Sequence, residues 1–96
     1  MYRNKLTTPE TEGFFKAILS LKTEDDCARF FEDVATIGEV QAMAQRLHVA
    51  KLLNDGCKYS DVAEVTGAST ATISRVSRCL TYGADGYKLV LGRLEK

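Results

Sequence analysis

The chain has no tryptophan, one proline, one histidine and no net charge. Each shortage excludes something. His48 is the single histidine and gives little from which to assemble a Ser/His/Asp or Cys/His constellation. The glycines are scattered and form no phosphate-cradling loop. The protein is therefore not expected to be an enzyme. The three cysteines, Cys27, Cys57 and Cys79, are odd in number, widely spaced and lack a C-x-x-C pair. Neither a disulfide framework nor a metal site is expected; reduced thiols in the cytoplasm are. No apolar run is long enough to span a bilayer, and the opening MYRNKLTTPE lacks an apolar signal core. These absences point to a cytoplasmic protein with no membrane partner. Zero net charge argues against a general coat for polyanions. Alternating Val/Ile/Thr runs are missing too, so strands are not expected.

What remains is helical. The 96 residues make one domain, 1–96, with 45% hydrophobic residues. A chain this short buries only roughly 60–65% of its unfolded surface as a monomer, so association through apolar helices would matter to it. Thr8-Pro9-Glu10 reads as an N-cap, a first-turn proline and an early acid. Phe14, Phe15, Ile18 and Leu19 then repeat at helical spacing. Thr23 before Glu24-Asp25-Asp26 opens a second helix, with Cys27, Phe30, Phe31 and Val34 on its core face. Thr36-x-x-Glu39 is a capping-box pattern for a third, and Gly56 suits a left-handed C-terminal cap.

On a wheel of about 100° per residue, Val49, Ala42, Leu53, Ala50, Met43 and Leu47 of the third helix fill an arc of roughly 160°. Gln41, Gln45, His48, Lys51 and Asp55 lie opposite, with Leu52 out of place among them. So wide an apolar face belongs to a helix buried on more than one side. Arg46 falls inside it, either snorkelling outward along its stem or held as a half-buried cation with an acidic or ligand partner. His48, on the polar arc, reads as solvated.

The segment YSDVAEVTGASTATISRVSR, residues 59–78, differs in kind: hydroxyls and small residues stand where a core helix would carry Leu. Divided at Gly67, it gives two helices. Ser60 is expected to cap the first, with Val62, Val65 and Thr66 able to face a core and Ala63 small at the crossing. Ser69 is expected to cap the second, with Ile73, Val76 and Leu80 on one face. Gly67 takes a turn where positive φ costs other residues energy. The layout is a helix-turn-helix over residues of about 59–80. Its outward residues, Ser69, Thr70, Ala71, Ser74, Arg75 and Arg78, suit a major groove: hydroxyls bond phosphates or base edges, methyls meet thymine, and Arg pairs with guanine. Residues 56–96 carry six Lys/Arg against four Asp/Glu, and Lys58 precedes the first helix of the pair.

These residues also carry a resemblance. TGASTATISRVSRCL resembles the reading-helix segment of the Trp repressor family, in particular the short Trp-repressor-related proteins of Gram-positive bacteria. Gly67-Ala68, Ala71-Thr72-Ile73, Arg75 and Leu80 match its pattern, and the layout of residues 10–96 follows it more loosely. The resemblance implies an all-α, six-helix fold and an intertwined homodimer, with dimerisation helices at about 9–55 and 86–95. It implies operator binding, often with a small-molecule corepressor. The DNA-facing set is then Lys58, Ser60, Ser69, Thr70, Ala71, Thr72, Ser74, Arg75 and Arg78. The candidate ligand residues are Arg46, Arg75, Val76 and Cys79. Two of these depart from the family. The namesake's indole lies over a glycine after the reading-helix arginine; here Val76 stands there, which disfavours a tryptophan-like corepressor. Cys79 replaces a serine able to bond the ligand's amino group. Two functions stay open: a sequence-specific DNA-binding regulator, most simply a repressor, and a helical protein-interaction module that uses the same face without touching DNA.

Overall fold

The computed structural model describes residues 5–95, which hold six α-helices and, among the described residues, no strand. They are α1 (Pro9–Leu19), α2 (Glu24–Val34), α3 (Ile37–Asn54), α4 (Tyr59–Thr66), α5 (Thr70–Tyr82) and α6 (Gly86–Leu94). The chain divides into two compact units, residues 1–40 and 41–96.

The first unit is built on its helix caps. Thr8 caps α1 ahead of Pro9, in a capping box closed by Thr11. Thr23 caps α2, its hydroxyl accepting the Asp26 N–H at 3.0 Å. The expected Thr36/Glu39 box opens α3: Thr36 Oγ1 accepts the Glu39 N–H at 3.0 Å, and Glu39 Oε1 accepts the Thr36 N–H at 2.8 Å. Hydrogen bonds from the Thr36 backbone and then the Thr36 hydroxyl favour the ionised carboxylate and hold Glu39 below the ordinary glutamate range. The depressed value fixes the sign of the pH dependence. The box helps above the unfolded glutamate pKa of about 4.3 and is lost as pH falls through the lower folded value. An NMR titration should place Glu39 below the ordinary glutamate value, and Thr36→Ala, which removes the hydroxyl and keeps the backbone N–H, should return it part of the way.

No residue of α1 or α2 is buried. Phe14 and Phe30 meet with ring centroids 5.9 Å apart, and Phe30 packs edge-on to Phe31 at 5.4 Å. The expected core face of α2 is only half realised: Phe30 and Phe31 are half-buried, while Cys27 and Val34 are exposed. Two helices of eleven residues have too little interior to cover such a stripe.

The second unit holds the core: Val49 and Ala50 of α3, Val62 of α4, Ala68, Ile73 and Val76 at and within α5, and Leu91 of α6. Leu47, Leu52, Leu53 and Leu80 pack around it. Leu52, out of place on the wheel, is thus part of the packing, whereas Met43 from the apolar arc is exposed. Two local expectations fail. Ser60 does not cap α4: Lys58 is already the extended N-cap residue, without a side-chain cap bond, and Ser60 lies in the first turn. Val65 is 62% exposed, because it is turned roughly 100° from the direction shared by Val62, Ala63 and Thr66. The other boundaries follow the sequence. Gly56 and Gly67 have φ of 90° and 72°, and α6 occupies the expected closing segment.

Candidate nucleic-acid interface

The α4–α5 pair is joined by Gly67, Ala68 and Ser69. Gly67 ends α4 in the left-handed region, and its N–H bonds the Ala63 carbonyl at 2.9 Å. A Cβ at Gly67 would meet no atom within 4 Å, so the demand for glycine is purely conformational. Ala68 is buried beneath the turn. Ser69 then caps α5: its hydroxyl accepts the Thr72 N–H and lies 3.1 Å from the Thr72 hydroxyl.

This geometry sorts the candidate residues. Ile73 and Val76 are both 1% exposed and fasten α5 to the core, with Leu80 half-buried one turn on. Thr70, Ala71, Arg75 and Arg78 are exposed on the free side of the helix. Ser74 and Thr72 are half-buried, and Ser69 and Thr72 already use their hydroxyls on each other and on the cap. Lys58 and Ser60 are exposed at the start of α4. The remaining exposed charges of α4 are Asp61 and Glu64, whereas the first turn of α5 carries no acid and its exposed face carries two arginines. Between the two helices, α5 is the one suited to a polyanion. Tyr82, 85% exposed and one turn beyond Arg78, extends that face and was not among the expected contacts. Its sequence signal is the i+4 spacing from Arg78.

The ligand candidates are less coherent. Val76 is core, Cys79 is an exposed free thiol, Arg75 is exposed and Arg46 is half-buried. The ion pairs among the described residues are Arg29–Asp25 at 2.7 Å and Lys51–Asp55 at 3.1 Å, neither involving Arg46. An open groove of about 350 Å³ lies elsewhere, lined by Cys57, Tyr59, Ser77, Leu80 and Lys88 among others. None of the four ligand candidates lines it. No group of three or more His, Cys, Asp or Glu side chains among the described residues could hold a metal ion. No described helix is long and apolar enough to cross a membrane.

The protein is all-α among its described residues, and the core formed by α3, α4 and α6 buries one side of α5 and leaves the other exposed. The chain belongs to the Trp repressor family, whose profile, described as Trp repressor protein, matches residues 10–95. It is 50% identical over 96 residues to the uncharacterized protein YerC of Bacillus subtilis, covering all of this chain and 92% of that one. The fold superposes on a TrpR-like protein from Eubacterium eligens ATCC 27750 with a TM-score of 0.92 and 56% identity, over 97% of this chain and 96% of the other. A candidate Trp repressor from Staphylococcus aureus gives 0.91 and 43%, over 95% and 91%.

Proposed function

We propose that the protein is a sequence-specific DNA-binding transcriptional regulator, a cytoplasmic repressor that binds operator DNA as a homodimer. The observation that carries this reading is the α5 face. Thr70, Ala71, Arg75 and Arg78 stand free on a helix whose opposite side is locked by Ile73 and Val76. In this reading α4 and α5 form a helix-turn-helix, and the start of α5 enters the major groove. Ser74 and the Ser69–Thr72 cap lie beside the bases, and Lys58 and Ser60 meet phosphate. Family membership supports the same conclusion.

The homodimer is supported by the first unit. Leu19 is 83% exposed and Val34 52%, on helices with no buried residue in the isolated chain, and Ile37 at the start of α3 is 73% exposed. A second copy would cover this surface and set two reading helices about 34–36 Å apart, one turn of DNA. The test is a gel-shift against genomic fragments at defined salt, with light scattering on the same sample. A dimer whose affinity falls steeply with salt and saturates on a small set of sequences is expected. A folded monomer, or no retention at low salt, would refute the reading and favour a protein-interaction module.

DNA binding is proposed to be independent of tryptophan. The Val76 side chain occupies the core itself, among Val49, Ala50, Val62 and Ile73. Forcing an indole against it would cost roughly 1–3 kcal/mol, a tenfold to hundredfold loss of affinity. Calorimetric titration with L-tryptophan is expected to show no micromolar binding, with Val76→Gly as the control. A gel-shift that requires tryptophan would contradict this.

A further inference from the structure

Among the described residues from Thr8 onward, side-chain hydrogen bonds join residues no more than four apart, with one exception. Gln45 Nε2, on α3, donates to the Thr66 carbonyl at 3.1 Å, across 21 residues. The acceptor is a carbonyl oxygen, so chemistry itself orients the amide, with its NH₂ toward Thr66.

Thr66 is the last residue of α4 and the centre of the turn's bonding. Its hydroxyl donates to the Val62 carbonyl at 2.7 Å and accepts the Ala68 N–H at 3.1 Å. The Gly67 N–H returns to Ala63. The Thr66 carbonyl, one of the orphan acceptors at a helix end, is satisfied from outside the pair by Gln45. One residue later the chain turns left-handed, and three residues later Ser69 starts α5.

The apolar contacts of α3 with this region, through Val49 and Ala50, hold α4 and α5 close but supply no directional bond to the turn. A hydrogen bond is directional. We infer that Gln45 is a positioning residue for DNA reading: its bond to Thr66 sets the orientation of the turn, and so of α5, relative to the central helix. The inference rests on the DNA-reading function proposed above. Gln45 itself touches no base or phosphate in this scheme. It restricts the angle at which Thr70, Ala71 and Arg75 are offered, so it governs discrimination between sequences and leaves the electrostatic part of binding alone.

The experiment compares the unaltered protein with Gln45→Met, which keeps the side-chain volume and removes the donor, and with Gln45→Glu, whose carboxylate faces the carbonyl without a proton. Affinities are measured for a selected operator fragment and for an unrelated duplex across a salt series. For Gln45→Met, operator affinity is expected to fall about tenfold, as for the removal of one modest hydrogen bond from each protomer. Affinity for the unrelated duplex and the salt slope should not change, because no phosphate contact is altered. Gln45→Glu should fall further. Amide exchange on the free protein adds a readout that needs no DNA. In Gln45→Met the Gly67 and Ala68 amides should exchange several-fold faster while those of Val49 and Ala50 stay as protected as before. An operator-to-unrelated ratio within twofold of the unaltered protein, in a folded Gln45→Met variant, overturns the inference. So does uniformly faster exchange along the chain, which would mark general destabilisation. If the unaltered protein selects no sequence at all, the DNA reading itself fails, and that outcome appears before any variant is made.

Discussion

Truncating Ile73 to alanine is expected to cost about 2–5 kcal/mol of stability, a large share of the roughly 5–15 kcal/mol available to a domain of this kind. Ile73 is 1% exposed and is the largest of the fully buried side chains. It packs in one cluster with Val49, Val62 and Val76, so it joins α3, α4 and α5 at one point. The missing methyl groups leave a cavity, and the surrounding short helices can close it only partly. Urea unfolding at fixed protein concentration measures the loss, and the concentration must be fixed because dimerisation would add to apparent stability. Val65→Ala is the matched control: the residue is 62% exposed, and the change should stay within about 0.5 kcal/mol. Equal losses for the two variants would mean that α5 is not held by the core described here.

Arg75 and Arg78 are expected to give the largest effects on DNA binding, and to differ in kind. Both are exposed on α5, three residues apart. An arginine that pairs with guanine contributes roughly 1–3 kcal/mol of discrimination, and in a symmetric dimer each substitution removes two such pairs. Arg75, nearer the start of the helix, is the stronger candidate for base reading. Arg75→Ala should then cost about thirtyfold to twenty-thousandfold on the operator and little on unrelated DNA. Arg78, nearly a turn further from the groove, is expected to meet phosphate. Arg78→Ala should weaken binding to all sequences alike. It should also reduce the slope of log affinity against log salt by about two, at roughly 0.9 for each phosphate no longer neutralised. Salt-series binding assays on both duplexes separate the two. If both substitutions leave both affinities unchanged, α5 does not face DNA.

Some of this site was legible in the sequence because its signals are local. Ser69 followed by Thr70-Ala71-Thr72, a glycine two residues before the cap, and Ile73, Val76 and Leu80 at helical spacing gave α5, its cap and its buried face. Each depends on backbone bonds within four residues, or on a period of 3.6, which the order of side chains carries directly. The same logic misled at Ser60. A hydroxyl before an acid is a cap signal, yet helical dihedrals already begin at Tyr59, and choosing between neighbouring starts needs the position of the whole helix. Val65 failed for a related reason: apolar character says that a residue can be buried, while a roughly 100° difference in direction decides that it is not.

By itself the sequence determined the helical class, the glycine turn, four of the helix starts and the small, cationic face of α5, since all of these follow from short-range bonding and periodicity. Only the tertiary structure decided the rest. It turned Leu52 from an exception on a polar arc into part of the packing. It left α1 and α2 without a buried residue of their own. It also brought Gln45, one more polar residue on the wheel of α3, to the carbonyl of Thr66. The physical reason is the same in each case. Burial and long-range hydrogen bonds depend on which surfaces meet after the chain has turned several times, and that is a property of the assembled helices rather than of any one stretch of sequence.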